Sequence, residues 1–259
     1  AAKMLSADVI SVGVSGSSSE KGESAYNTAL TLQAMGIDLI VVRHPLSGTP
    51  NFLARYLNAS IINAGDGSHA HPTQALLDLY TINRKLGKIR DLRVVIVGDI
   101  LYSRVARSNL WGLTKMGARV VLCGPRTLVP SDFTAAQHEL DNHPFKMVTV
   151  EHSIDRAIEG ADVVMALRLQ LERQSAGHLP SPREYSQMYC LTSERLLAAN
   201  PDVLVMHPGP LNEGIEIDPE VAHGTKSVIE DQVTNGLAIR MALLYRLIAE
   251  TESGEGVRF

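Results

Sequence analysis

The chain has 259 residues, 45% of them hydrophobic and 20% charged, with a formal net charge of −4. That length suits one large or two medium domains, and the slightly acidic balance excludes nucleic-acid binding driven by bulk charge. Two cysteines without metal-ligand spacing, nine histidines without an HExxH cluster and no membrane-length apolar run describe a reduced, intracellular globular protein. In chain order, short β-branched runs predict strands at Asp8–Val12, Leu39–Val42, Ser60–Asn63, Arg93–Val97, Arg119–Cys123, Lys146–Val150, Val163–Ala166 and Val203–Met206. Helical patterns lie between most of them, at Ser24–Met35, Phe52–Leu57, Pro72–Leu86, Ser103–Met116, Ser153–Glu159 and Ser193–Ala199. Such alternation predicts βαβ units and parallel sheets. Gly36 and Gly117 each follow a helix and precede a strand, as terminating glycines do. Leu92–Asp99 reads as the first strand of a new doubly wound domain, which puts a boundary near Arg84–Asp91 with the helix from Pro72 as the bridge. Val233, Leu237, Met241, Leu244 and Ile248 have helix spacing and predict a long closing helix. The opening residues Ala1–Leu5 contain no signal-peptide core and read as the tail of a helix entering a strand. The acidic stretch Glu250–Glu255 reads as a terminal tail.

Candidate chemistry sits at the ends of these elements. His71-Pro72-Thr73-Gln74 follows the turn-rich run Asn63–Ser68 and opens a helix. Pro72 costs nothing in a first turn, and His71 and Gln74 lie beside the helix's unpaired donors and positive end, a setting for an oxygen-rich anion. The same residues serve equally as a cap and a solvated amide. Arg43-His44-Pro45 follows the strand Leu39–Val42, where an arginine fork can hold a carbonyl or phosphate oxygen or simply face solvent. Residues 13–24, rich in Gly and Ser and carrying Lys21, are an anion-touching loop or a plain surface loop. Gly98-Asp99 and Arg104 follow the next strand without the GxGxxG of a dinucleotide site. Arg168 and Gln170 fall on one side of an extended chain and could grip a carboxylate. The polar stretch from Leu171 to Tyr185 predicts a mobile loop. His207-Pro208-Gly209-Pro210 is a stiff turn whose Gly209 and Pro210 carbonyls could accept from an amine.

Lys21-Gly22-Glu23, Arg43-His44-Pro45, the Asn63–Gln74 run, Gly98–Arg104, Arg168-Leu169-Gln170 and His207–Pro210 together resemble, in order and over essentially the whole sequence, the catalytic chains of the aspartate carbamoyltransferase family. Relatives acting on ornithine typically carry Cys at the position of Thr73 and His-Cys-Leu-Pro in place of 207–210. The Arg168/Gln170 pair also suits a two-carboxylate acceptor better than one with an ammonium side chain. The resemblance implies an α/β fold of two doubly wound parallel-sheet domains: residues 1–85 for carbamoyl phosphate, 86–228 for aspartate, and 229–259 as a closing helix and tail packing back on the first domain. It implies transfer of the carbamoyl group of carbamoyl phosphate to L-aspartate in pyrimidine biosynthesis, with no cofactor or metal. Arg43 and His71 would donate to the carbonyl oxygen. Gln74 and the Gly209 and Pro210 carbonyls would hold the carbamoyl nitrogen. Arg104, Arg168 and Gln170 would bind aspartate. Lys21, with Ser17, would reach a neighbour's site in a cytoplasmic homotrimer with shared active sites, open to a regulatory chain or a dihydroorotase as partner. The family's Ser-Thr-Arg-Thr phosphate loop does not occur in the 259 residues, so the first domain is expected to be incomplete. The competing expectations are an inactive homologue acting as a scaffold and a carbamoyltransferase with another acceptor, such as ornithine.

Overall fold

A computed structural model describes residues 1–13, 25–135, 145–170 and 181–253. The chain divides into two compact units, residues 1–73 with 236–259, and residues 74–235. The first unit contains α1 (Ala25–Ala34), β1 (Leu39–His44), α2 (Thr49–Tyr56) and β2 (Ser60–Asp66), with β1 and β2 paired in parallel. Its small core joins Ala29, Leu53 and Leu57 to Tyr26, Ile40, Val42 and Ile61. The run Asp8–Val12 is not a strand. Its apolar residues mimic a half-buried strand, yet no neighbouring edge among the described residues offers it a ladder, and Val9, Ile10 and Val12 are exposed. Helix α2 begins at Thr49 rather than Phe52, because Gly48 in the left-handed region starts the turn and Pro50 fits its first positions. Strand β2 runs on to Asp66, three residues past the predicted Asn63.

The second unit follows the start of α3 (Pro72–Leu86). It holds β3 (Arg93–Val97), α4 (Arg104–Lys115), β4 (Arg119–Cys123), α5 (Asp132–Ala135), β5 (Val148–Glu151), α6 (Ile154–Ala157), β6 (Val163–Ala166), α7 (Pro182–Tyr189), β7 (Leu204–Met206), α8 (Pro219–Ala222) and the start of α9 (Ile229–Ser253). Its five strands are parallel in the order β5-β4-β3-β6-β7. The chain winds outward from β3 in one direction and then, from β6, in the other, which is the doubly wound arrangement. Alternate residues feed opposite faces: Val95, Val121 and Val164 enter one core, and Ile96, Leu122 and Met165 the other. Burial on both faces explains why these strands read as continuous Val-rich runs. On α4, Trp111 stacks edge-on against Phe145, 4.7 Å away, and Phe145 meets Phe133 of α5.

Three further differences from the sequence reading have local causes. Ser193–Ala199 forms only a short 3-10 turn, Arg195–Ala198. The predicted loop Leu171–Tyr185 runs into α7, whose first turn is capped by Ser181 and opened by Pro182; residues 171–180 lie outside the described ones. On α9, Val233 is 73% exposed while Gln232 and Asn235 are buried. The apolar spacing finds the long helix, and its Leu244 is buried, but at the first turns side-chain amides with buried partners take the inward side. Among the described residues no helix is long and apolar enough to cross a membrane.

Candidate active site

Arg43 and His71 come from the first unit. The sequence places Arg43 just beyond a strand end, but β1 continues through His44, and its pairing with β2 shifts register between Val42 and His44. The irregularity falls on Arg43, and such bulges re-aim the side chain they carry. The following loop is tied to the end of β2. Fully buried Asp66 accepts from the Gly48 N–H (2.6 Å), Asn63 Nδ2 (2.8 Å), His69 Nδ1 (2.9 Å) and the Ala70 N–H (3.1 Å). Burial by itself pushes this carboxyl up, but the hydrogen bonds from Asn63, Gly48 and His69 together outweigh it and hold Asp66 below its ordinary 3.8. Gly67 sits in the left-handed region at φ +49, where an added Cβ would lie 2.5 Å from Ser47 Oγ and 2.9 Å from the Pro45 carbonyl. Half-buried His71 then precedes Pro72, the first residue of α3, with its Nδ1 3.3 Å from Thr73 Oγ1.

The second unit brings three strand ends to one sheet edge. Strands β3, β6 and β7 are parallel neighbours, so the segments leaving them emerge together at the switch in winding, where open α/β sheets bind ligands. Gly98 leaves β3 at φ +132, and a Cβ there would meet the Leu167 carbonyl at 3.0 Å and Tyr185 Oη at 3.2 Å. Asp99 is fully buried; its carboxylate accepts the Tyr102 N–H at 3.0 Å and the Gln170 N–H at 3.4 Å. Ser103 caps α4 by accepting the Ala106 N–H, which sets Arg104 in the first turn at 9% exposure. After β6, Leu169 is buried in the core while Arg168 and Gln170 on either side are half-buried, and Gln170 Nε2 donates to the Arg168 carbonyl at 3.4 Å. After β7, Gly209 and Pro210 are exposed and joined by a cis peptide bond. Lys21 and Ser17 lie outside the described residues.

Several polar groups behind this edge went unseen in the sequence. Asp78, fully buried on α3, accepts from Gln74 Nε2 (3.1 Å) and Gln232 Nε2 (2.7 Å) at Oδ1, and from Asn109 Nδ2 (2.7 Å) at Oδ2. Gln232 Oε1 accepts the His207 N–H at 3.0 Å, and His207 Nδ1 accepts the Gly209 N–H at 2.9 Å. His207 Nε2 faces buried Glu216 at 3.3 Å, and Glu216 also accepts the Asn212 N–H at 2.6 Å. Tyr185 lies fully buried under Gly98, stacked on Tyr189, and burial raises its hydroxyl well above the usual 10. The one sequence signal for Asp78 was its position, a carboxylate on the buried stripe of α3 four residues after Gln74. An open cavity of about 700 Å³ lined by Asp155, Cys190, Arg195 and Asp218 contains none of the predicted residues, and its Arg195 guanidinium is engaged by Asp155 and by the Cys190 and Gln187 carbonyls. Among the described residues no group of three His, Cys, Asp or Glu side chains converges as a metal site would.

Two family models match the chain in tandem. Residues 1–84 match the carbamoyl-phosphate-binding domain, and residues 90–247 the Asp/Orn-binding domain, of aspartate/ornithine carbamoyltransferases. The chain belongs to the aspartate/ornithine carbamoyltransferase family. The aspartate carbamoyltransferase catalytic subunit of Chloroflexus aurantiacus is 59% identical over 248 residues, which are 95% of this chain and 78% of that protein. That of Roseiflexus sp. is 57% identical over 251 residues, 96% of this chain and 77% of that protein. Among solved structures, aspartate transcarbamoylase from Trypanosoma cruzi in complex with carbamoyl phosphate and aspartate superposes with a TM-score of 0.80 at 28% identity, covering 94% of this chain and 77% of that one. Ornithine carbamoyltransferase from Pyrococcus furiosus reaches 0.73 at 29% identity, over 86% and 70% of the two chains.

Proposed function

We propose that this carbamoyltransferase moves the carbamoyl group of carbamoyl phosphate onto the amine of L-aspartate, giving N-carbamoyl-L-aspartate and phosphate. The observation that carries the reading is that the segments bearing Arg104, Arg168 with Gln170, and the Gly209–Pro210 turn follow three adjacent parallel strands of one sheet. Two guanidiniums and an amide at one edge suit a dicarboxylate, because each guanidinium can take a carboxylate bidentately. The aspartate subunits of Chloroflexus and Roseiflexus, at 59% and 57% identity, support aspartate as the acceptor. The amine nitrogen attacks the carbamoyl carbon, the carbonyl oxygen gathers negative charge, and the C–O bond to phosphate breaks. Arg43 and His71 donate to that oxygen, which is where preorganised donors lower a barrier most. Gln74 and the Gly209 and Pro210 carbonyls accept from the carbamoyl NH₂ and orient the carbon. The departing phosphate takes the proton released by the amine. Lys21 reaches the site of a neighbouring subunit in a homotrimer, and the enzyme serves pyrimidine synthesis in the cytoplasm.

The test is product analysis with the full-length polypeptide, carbamoyl phosphate, and aspartate or ornithine in parallel. N-carbamoyl-aspartate and phosphate should form in equal amounts, with no citrulline from ornithine. Citrulline as the main product overturns the acceptor. No product from either amino acid overturns the activity and favours a binding subunit.

A further inference from the structure

Gln74 and the Gly209–Pro210 turn lie far apart in sequence, yet one buried carboxylate, Asp78, is hydrogen-bonded to Gln74 directly and linked to that turn through Gln232 and His207. We infer that Asp78 is a positioning residue that fixes the polarity of the carbamoyl-nitrogen pocket, turning the Gln74 carbonyl outward and, through Gln232, holding the His207–Pro210 turn in place. The inference rests on the reading of Gln74, Gly209 and Pro210 given above and deepens it.

The argument is one of donors and acceptors. A side-chain amide presents NH₂ at one end and C=O at the other, and either end can point either way until a partner decides. An ionised carboxylate only accepts, so an amide packed against it must offer its NH₂. Gln74 Nε2 faces Asp78 Oδ1 at 3.1 Å, which leaves Oε1 as the end available to a substrate. Gln232 Nε2 faces the same oxygen at 2.7 Å, which leaves its Oε1 to accept the His207 N–H at 3.0 Å. Flipping Gln232 would set oxygen against carboxylate and NH₂ against N–H, two errors at once. His207 in turn accepts the Gly209 N–H through Nδ1, so the carbonyls of that turn inherit the orientation. Asn109 Nδ2, 2.7 Å from Oδ2, holds the second carboxylate oxygen. Asp78, Gln74, Asn109 and Gln232 are all buried, so no solvent competes for these bonds. A pocket made only of acceptors recognises NH₂ and refuses a methyl group, and Asp78 is what makes it so.

Acetyl phosphate, which carries CH₃ where carbamoyl phosphate carries NH₂, isolates this contribution. The readouts are kcat/KM for carbamoyl phosphate and the inhibition constant of acetyl phosphate, measured on the full-length protein and on Asp78→Asn and Gln232→Met. Asp78→Asn keeps the shape but leaves one acceptor oxygen where three amides need two, so its NH₂ faces either the Gln74 and Gln232 amides or that of Asn109. It should lower kcat/KM for carbamoyl phosphate by about 10- to 100-fold, the value of one or two misdirected buried hydrogen bonds. Acetyl phosphate should bind as before, within about twofold, because a methyl group uses none of these acceptors. Gln232→Met disturbs only the branch to His207 and should produce a smaller loss of the same kind; if Asp78→Asn does not fold, this variant decides alone. In a Gln74→Ala background Asp78→Asn should add less than it does by itself, because the two share one route. Parallel weakening of both phosphates would mean a merely structural role and overturns the inference. An unsubstituted protein that does not prefer carbamoyl over acetyl phosphate overturns the underlying site reading, and this inference with it; a preference that survives in both variants overturns the inference alone.

Discussion

Asp66 carries its carboxylate in a setting with no solvent exposure, and four hydrogen-bond donors justify the burial. Because its folded value lies below the ordinary 3.8, the stability it contributes is present above that pH and is lost as pH falls through the lower, folded value. Asp66→Asn should therefore destabilise the protein at neutral pH by about 1–3 kcal/mol, the cost of leaving buried donors poorly matched. The gap from the unsubstituted protein in urea midpoint should narrow once the pH drops below 3.8; a gap constant with pH would show that the charge on Asp66 contributes nothing. The residues that touch substrate in the proposed mechanism were legible in sequence, since Arg43, His71, Arg168 and Gln170 are polar side chains at element ends. Asp66, Asp78 and Gln232 were not. Their roles depend on partners that the chain order does not reveal: Gln232 and Asp78 are 154 positions apart.

Elements show the same division. The strands of the second unit were readable because a sheet buried on both faces demands uninterrupted apolar runs, as in Arg93–Val97 and Val163–Ala166. Asp8–Val12 has a similar pattern but no ladder, because apolar alternation says which faces could be buried and nothing about a neighbour. The periodicity argument found helix α9, but not the side its first turns bury, where the amides of Gln232 and Asn235 with their buried partners outrank Val233. The turn after β3 is sensitive to a single added atom. Gly98→Ala requires a side chain at φ +132 and within 3.0–3.2 Å of Leu167 and Tyr185. It should cost about 1–3 kcal/mol, read as roughly 3–10 °C in Tm. Asp99 and Arg104 leave from this turn, so aspartate use should suffer with it. An unchanged Tm would show that the turn adapts without strain.

At the scale of the whole molecule the two units are built to different standards. The second has five parallel strands with a core on each face. Among the described residues the first has two strands and a core of three buried side chains, and two-stranded pairs gain little from cooperative packing. Amide exchange should follow that division: protons of β1 and β2 should exchange faster than those of β3, β4 and β6, which should open only with global unfolding. Equal protection across both sheets would show that the first unit is held as firmly as the second. The single tryptophan of the chain, Trp111, lies on α4 against Phe145, on the helix that begins with Arg104. Nature has thereby fitted the protein with a one-site optical probe. Tryptophan emission from this chain, excited beyond tyrosine absorption, is a local voice of the aspartate side, and a melting curve recorded by it alone is deaf to the carbamoyl-phosphate side.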